Sequence, residues 1–403
     1  MDVQAKIDLV HKGAVLEVLT ADELKNLFET EAHPSHYIGF EISGKVHLGT
    51  GLCTALKVKD FLQAGIKPTI FLADYHAWIN GKLGGDLEKI QTVAKGYFKS
   101  AMYASLLCAG LDEEQAGKVR FVLGSELYEK LGNEYWKDVM AISKDTTLRR
   151  MLRCTTIMGR TDSENLPSSA TLYPAMQAAD IWALEVDIAH AGMDQRKVHV
   201  LAREWAEKVK RNKPVAVHGA LLSGLLGPGR MNDVAAILRG EQRPSGSSLY
   251  AAEGILRDIG AVSETEMQKM DAHMIANKMS KSNPDSCIFV HDSEADIARK
   301  VKNAYCPPKV IEDNPIVQMA ETFVLRQGPG AKDEAERTLK IERPAKFGGD
   351  IEIVSSSDLR ALYSEAKLHP MDLKNAVARE LAAMLEPARE HFQKHPELLE
   401  QAL

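Results

Sequence analysis

At 403 residues the chain is too long for one small core, and ordinary domain sizes point to two domains. Apolar residues make up 45% and charged residues 26%, close to globular averages, which excludes a disordered, collagenous or coiled-coil chain. The formal charge of −6 argues against a protein that coats nucleic acid without sequence preference, since such binding rests on neutralising phosphates; local basic faces remain open.

The first 35 residues read as a helical segment. They carry neither a basic start followed by an apolar stretch nor a small-residue cleavage site, and no apolar run in the chain approaches bilayer length, so a cytoplasmic protein with no membrane contact is expected. In "HYIGFEIS", residues 36–43, Ile38, Phe40 and Ile42 share one strand face while Tyr37, Gly39 and Glu41 share the other. A glycine beside a phenol hydroxyl on that second face suggests a surface that something approaches closely. The turn "SGKVHLGTG" leads into a helix with Leu52, Leu56, Phe61 and Leu62 at helical spacing and Gly65 at its end, and the buried run "TIFLA" (69–73) follows. Strand, helix, strand calls for a right-handed parallel crossover.

The alternation continues. A helix is expected over about 86–109, a strand at "VRFVL" (119–123), helices near 134–158 and one from Tyr173, a strand at "VDIAHA" (186–191), a helix from Asp194 and a strand at "PVAVH" (214–218). Five apolar strands separated by helices predict an α/β fold, a Rossmann-like doubly wound parallel sheet over residues 36–229 with a helical insertion at about 124–170. Ligands of such sheets sit outside the carboxyl ends of the strands. Residues 230–274 are turn-rich and polar, a linker or insertion, and residues 275–291 hold the lysine loop "NKMSKSNPDS". From 292 to 403 helices dominate: one starts at Ser293 with Asp296 in capping-box spacing and stops at Pro307-Pro308, and another follows Asp372 with Leu373, Ala376, Val377, Leu381, Met384 and Leu385 on one stripe, ending near Pro387. The five cysteines are far apart and form no CxxC pair or metal-spaced cluster, so buried reduced thiols and no metal site are expected. Two basic segments stand out, Arg149, Arg150, Arg153 and Arg160, and Arg196 through Lys213.

Two short stretches carry chemistry. The three glycines of "GKVHLGTG" (44–51) let backbone approach a phosphate, the following helix offers free N–H groups to an anion, and His47 can donate to a phosphoryl oxygen. Lys278 and Lys281 among small serines suit either a solvated turn or a loop that closes on phosphates. The dinucleotide fingerprint is absent from the first crossover, and the Walker pattern is absent too. Occurring together, after the first and beyond the last strand of a parallel sheet, "HLG" and "KMSKS" resemble the two signatures of class I aminoacyl-tRNA synthetases. Between them "YPAMQAADI" (173–181) and "AGMDQRKVHVLARE" (191–204), and further on "KFGGD" (346–350) and "LHPMDLKNAV" (368–377), are similar to tyrosyl-tRNA synthetases of the archaeal and eukaryotic type. The likeness runs from about Tyr37 to Pro387.

The resemblance implies activation of L-tyrosine with ATP, Mg²⁺ arriving with the nucleotide, transfer to tRNA(Tyr), a helical anticodon-binding domain over 292–403, and a homodimer. It implies catalytic roles for His47, Lys278 and Lys281, and nucleotide contacts from Gly49, Thr50, Gly192, Asp194, Ser280, Lys281 and Ser282. Tyr37 and Asp180 would take the phenol, while Tyr173, Gln177 and Gln195 would hold the ammonium. Tyr173, Gln177 and Asp180 share a helix face by their spacing. Arg153 and Arg196 would meet the acceptor end, and Phe347, His369 and Asp372 the anticodon. Plainer readings stand beside these: Asp194 or Asp372 as a helix cap, Phe347 as a core plug, His369 as a helix-entry residue. Two departures from the family pattern are visible. Thr50 replaces the second signature histidine, and Ala191-Gly192 replaces a Gly-Gly pair. Tryptophanyl-tRNA synthetases are the nearest rival, and a non-catalytic RNA-binding relative or a small nucleotidyltransferase are others.

Overall fold

Six strands form one sheet in a computed structural model that describes residues 1–159, 166–227, 279, 284–326 and 338–402. They are β1 (Val15–Leu19), β2 (Ser35–Glu41), β3 (Lys67–Ala73), β4 (Arg120–Leu123), β5 (Ile188–Gly192) and β6 (Val215–Gly219), in the order β1-β6-β5-β2-β3-β4. Strands β2 to β6 pair in parallel, at the places the sequence pattern indicates to within about two residues. From β2 the order runs outward through β3 to β4 on one side and from β5 to β6 on the other. The winding therefore reverses between β2 and β5, and the crevice for a ligand opens at their carboxyl ends.

Strand alternation divides the interior. Ile38, Ile70 and Leu72 face a core shared with Leu52, Ala55 and Leu56 of the helix Leu52–Gln63. Tyr37, Phe71 and Ala73 face a second core built on Ala175, Ala178 and Ala179 of the helix Leu172–Ala183. The period of two that separates these sets was visible in the sequence; which helix covers each face was not.

The N-terminal segment departs from the helical expectation. Two helices, Val3–His11 and Ala21–Thr30, flank β1, which pairs antiparallel with β6 and closes that edge of the sheet. None of its five residues is fully buried, so no apolar alternation marks it. It is held by Glu17, which accepts from His218 Nδ1 at 2.8 Å and Arg196 Nε at 2.9 Å. The expected helix over 86–109 contains a π-helical stretch, Ala94–Phe98, and the Tyr97 N–H donates to Gln401 Oε1 at 3.0 Å, tying the chain's last helix to it.

The C-terminal part is mostly helical, with one addition, a hairpin of β7 (Leu339–Ile341) and β8 (Ile351–Ile353). Its helices are Glu294–Asn303, Pro315–Met319, Ser356–Ser364, Pro370–Met384, Glu386–Lys394 and Pro396–Gln401. Ile297, Phe323, Leu373 and Phe392 of this part join the same core as Leu52 and Leu56, so the two parts share one apolar interior. Asp60 also joins them, accepting from Lys57 at 3.0 Å and from Arg326 at 2.5 Å, all three buried. The helix near 370 begins one turn earlier than its stripe suggests: His369 is its N-cap, accepting from the Met371 N–H at 3.2 Å, because Pro370 supplies a preset first helical residue.

Candidate active site

The crevice at the β2/β5 switch point is a cleft of about 1000 Å³. At one end it is lined by Tyr37, Tyr173, Gln177, Asp180 and Gln195, at the other by His47, Gly49, Thr50, Gly192 and Asp194. The ten come from four separate stretches of the sequence. Strand β2 brings Tyr37, the helix Leu172–Ala183 brings Tyr173, Gln177 and Asp180 on one face, and the end of β5 brings Gly192 to Gln195. Gly39 lies between Tyr37 and Glu41 and opens onto the cleft, so backbone forms part of its floor.

The deep end is assembled around Asp180. Its Oδ1 accepts from the hydroxyls of Tyr128 at 2.9 Å and Tyr135 at 3.0 Å, and its Oδ2 lies 3.5 Å from His76 Nε2. Burial pushes the Asp180 carboxyl up to about 8, against the pull of the two tyrosine hydroxyls, and Asp74 adds to the rise. Burial likewise pushes His76 down to about 3, so this imidazole is neutral and both its nitrogens lack a hydrogen-bond partner among the described residues. The Tyr37 hydroxyl is also buried without a partner there, and burial with the nearby Asp180 charge holds its proton on well above the usual phenol range. A buried polar atom left unpaired in a cleft is a place where ligand is expected to bond.

Beside it the polar groups are chained. Gln195 Nε2 donates to the Ile157 carbonyl at 3.0 Å and its Oε1 accepts from Gln177 Nε2 at 3.1 Å, which leaves the Gln177 carbonyl as the acceptor of the pair. The Tyr173 ring meets His76 edge to face at 4.6 Å, and burial together with the nearby Glu41 carboxylate holds its phenol proton on well above the usual range. Glu41 is itself held by Asn80 Nδ2 at 2.6 Å and Lys82 Nζ at 3.4 Å. The substrate end is thus acceptor-rich around Gln177 and Glu41, suited to a cation, and ends in hydroxyls and a carboxylate, suited to a donor.

At the other end the turn before the helix Leu52–Gln63 is fixed by strand-like bonds to the chain just after the lysine loop. Leu48 N–H donates to Ile288 O at 2.9 Å and Val290 N–H to Val46 O at 3.1 Å. The Gly49 N–H donates to His47 Nδ1 at 3.1 Å, so the His47 proton sits on Nε2, 3.3 Å from the Thr50 hydroxyl. Thr50, in the place of the second signature histidine, is a polar neighbour for His47 at the mouth of the turn. Gly51 cannot carry a side chain, since a Cβ would fall 2.6 Å from both Ser105 Oγ and Val290 Cγ1. At Gly192 a Cβ would lie 2.6 Å from Leu221 Cδ2 and 2.7 Å from Asp194 Oδ1, so a side chain there would displace the Asp194 carboxylate, whereas Ala191 is an ordinary buried strand residue. Asp194 is not a helix cap, because Gly192 and Gln195 occupy the cap positions.

Lys278, Ser280, Lys281 and Ser282 lie outside the described residues, as do Arg160 and residues 230–274. Met279 is described: it lines the cleft, and its N–H donates to Leu222 O at 2.7 Å. Among the remaining expected contacts, Arg196 is engaged with Glu17, and its neighbours Arg203, Lys208, Arg211 and Lys213 pair with Glu23, Asp145, Asp138 and Glu23. This basic segment is largely neutralised within the fold. Arg153 is half-buried on the helix Leu148–Cys154. Phe347 is 62% exposed at the tip of the β7–β8 hairpin, which rules out a core plug. Arg343 fastens that tip by donating to the carbonyls of Gly349 and Lys367, each at 2.9 Å, and so joins it to the chain leading to His369 and Asp372. His369, not Asp372, caps the helix.

Sequence reasoning missed Tyr128, Tyr135, His76 and Glu41. Only Glu41 left a trace, by sharing the Tyr37 face of β2.

The comparisons with known proteins agree with this geometry. The model for class I tRNA synthetases of the W and Y group matches residues 29–233 and 266–386. The tyrosine–tRNA ligase of Thermococcus sibiricus is 46% identical over 409 residues, covering 99% of this chain and 98% of its own, and that of Pyrobaculum calidifontis is 39% identical over 98% of this chain and 95% of its own. The crystal structure of tyrosyl-tRNA synthetase complexed with L-tyrosine from Pyrococcus horikoshii superposes with a TM-score of 0.83 at 43% identity, covering 100% of this chain and 99% of that one. By fold, by cleft and by likeness along its whole length, the chain belongs to the class I tRNA synthetases, in the tyrosine–tRNA ligase family.

Proposed function

We propose that the cleft binds L-tyrosine and ATP side by side, and that the protein forms tyrosyl-adenylate and passes the tyrosyl group to the terminal adenosine of tRNA(Tyr). The observation that carries the substrate choice is the deep end of the cleft, lined by the buried Tyr37 hydroxyl, which has no partner among the described residues, and by the buried Asp180 carboxyl. A phenol donates to Asp180 and accepts from Tyr37. Phenylalanine leaves both unsatisfied, and indole has no acceptor for Tyr37. Gln177, Gln195 and Tyr173 take the ammonium, with Glu41 behind Tyr173.

In activation the ionised tyrosine carboxylate attacks the α-phosphorus, a carboxyl–phosphate bond forms, and the bond to the departing pyrophosphate breaks. No general base is needed, only alignment and donors to oxygens that gain charge. His47 Nε2–H, Thr50 and the amides of the turn supply donors on one side; Lys278, Lys281, Ser280 and Ser282 supply them on the other. Gly49 and Gly192 give the nucleotide backbone-level access, and Asp194 accepts from ribose hydroxyls. Mg²⁺ enters with the nucleotide, held by phosphate oxygens and water. The anticodon meets Phe347 by stacking and Asp372 and His369 by hydrogen bonds; the acceptor end meets Arg153 and Arg196. Trp136 and Met140, one helical turn apart, and Leu148 and Leu152, likewise, are exposed apolar residues on consecutive helices, which supports a homodimer. No described helix is long and apolar enough to cross a membrane, and work in the cytoplasm on a soluble tRNA is the setting we propose.

Amino-acid-dependent ATP–pyrophosphate exchange tests the reading. Exchange is expected with tyrosine and not with tryptophan or phenylalanine, and it should collapse when Lys278 and Lys281 are both alanine. Exchange driven by tryptophan would overturn the substrate assignment, and exchange surviving the double change would overturn the mechanism.

A further inference from the structure

The Asp180 carboxylate divides its two oxygens between two environments. Both hydroxyls, from Tyr128 and Tyr135, are aimed at Oδ1, while Oδ2 is the oxygen beside His76, which lines the cleft. The two tyrosines come from consecutive helices, Gly124–Leu131 and Asn133–Asp145, joined at Gly132, whose φ of 56° is one that other residues rarely adopt. Their rings stack at 4.0 Å with 20° between planes, and both are buried, standing behind Asp180 rather than on the cleft wall. Among the described residues no lysine or arginine pairs with Asp180, so when this carboxyl is ionised its charge is met by neutral donors alone.

A carboxylate with neither a cation nor a fixed torsion would share its oxygens indifferently between donors. Here the stacked pair removes that freedom. An Oδ1 already accepting two hydrogen bonds has little capacity left, and Oδ2 becomes the acceptor offered to a ligand. We propose that Tyr128 and Tyr135 are positioning residues for substrate choice: together they saturate Oδ1 of Asp180 and present Oδ2 to the amino acid's hydroxyl, so selection of tyrosine over phenylalanine depends on two phenols that never touch the substrate. This rests on the reading that Asp180 receives the phenol of tyrosine. Each donor also favours the ionised carboxylate, so deleting one makes Asp180 easier to protonate.

The test compares Tyr128→Phe, Tyr135→Phe and Asp180→Asn by ATP–pyrophosphate exchange with tyrosine and phenylalanine, between about pH 5 and pH 9. KM is independent of the active fraction, so a partly misfolded preparation does not enter it. Each phenylalanine variant retains the stacked ring. It should raise KM for tyrosine about tenfold, roughly one hydrogen bond to a charged group, and leave KM for ATP unchanged. The acid limb of kcat/KM for tyrosine should move to higher pH, and the preference for tyrosine over phenylalanine should narrow by the same factor. A merely structural role would move neither the acid limb nor the preference. If Asp180→Asn impairs tyrosine use while both phenylalanine variants keep wild-type KM and acid limb, the positioning role is wrong and the phenol assignment stands. If Asp180→Asn also leaves tyrosine KM unchanged, both fall.

Discussion

Tyr37→Phe separates function from folding in an uncommon direction. In the free protein the Tyr37 hydroxyl is buried, 2% of the residue being exposed, and it has no partner among the described residues. A buried hydroxyl without a hydrogen bond costs about 1–3 kcal/mol relative to one in water. Deleting the oxygen removes that cost and leaves the ring in place, with its edge-to-face contact to Phe71 at 6.5 Å. The ligand-free variant should therefore be as stable as the parent or more stable by about 1 kcal/mol, which for a chain of this size raises the melting temperature by roughly 1–3 °C. On the proposed reading the balance reverses with tyrosine bound, because the same oxygen would then make one of the two bonds to the phenol. Losing a neutral hydrogen bond of about 0.5–1.5 kcal/mol lowers kcat/KM for tyrosine by roughly 2- to 12-fold, and leaves phenylalanine unaffected. Thermal denaturation without ligand and pyrophosphate exchange with both amino acids read the two halves. A variant that melts several degrees lower while keeping its kcat/KM for tyrosine would refute the reasoning, since the hydroxyl would then be holding the fold and not the substrate.

Glu17→Gln addresses acid stability. Burial raises the Glu17 carboxyl, but hydrogen bonds from His218 and Arg196 outweigh it and bring the carboxyl down to about 2. The folded value lies below that of the unfolded chain, about 4.3, so this carboxylate contributes stability above that pH and loses it as pH falls toward 2. Urea midpoints measured down through that window should fall less steeply for the variant than for the parent; parallel curves would mean that the edge strand is not held by this charge. Tyr97→Phe addresses the signature turn, because the Tyr97 hydroxyl accepts from the buried Val46 N–H at 2.9 Å, next to His47. It should lose about 1–3 kcal/mol of stability and raise KM for ATP while sparing KM for tyrosine; equal effects on both substrates would show that the turn is not its point of action.

The parallel strands and the residues around the cleft were legible because each is a local pattern: Ile38 and Tyr37 alternate within one strand, and Tyr173, Gln177 and Asp180 recur along one helix face. Thr50 and Ala191 were legible as departures but not as tolerable ones. The structure adds the 3.3 Å contact of Thr50 to His47 and the burial of Ala191 in its strand. Strand β1 was missed because an edge strand whose five residues are all half-buried has no apolar period, and the ion pairs that hold it come from 179 and 201 residues away. Tyr128 and Tyr135 were missed for a related reason. In sequence each is an ordinary apolar position of a helix, and the meaning of its hydroxyl depends on a carboxylate 52 or 45 residues further on.

The two ends of the cleft also show why its chemistry is divided as it is. Had an arginine stood behind Asp180 in place of the stacked tyrosines, it would have paired with both carboxylate oxygens and left little acceptor for a phenol. Neutral donors on a single oxygen keep the other available, at the cost of a carboxyl that burial pushes up to about 8. At the phosphate end the demand is reversed, because a triphosphate brings its own charge and a permanently paired cation near it would be spent on the protein. The described part of that end offers an imidazole fixed as an Nε2–H donor, a hydroxyl and the amides of a turn, none of which needs a carboxylate partner. On the proposed reading each end therefore complements the group that its substrate carries: an acceptor for the phenol at Asp180, and donors for phosphate oxygens at the turn around His47. A ligand that meets both ends at once joins a phenol to an α-carboxylate lying beside a phosphate, and it is on that pairing, more than on any single residue, that the proposed choice of tyrosine and ATP rests.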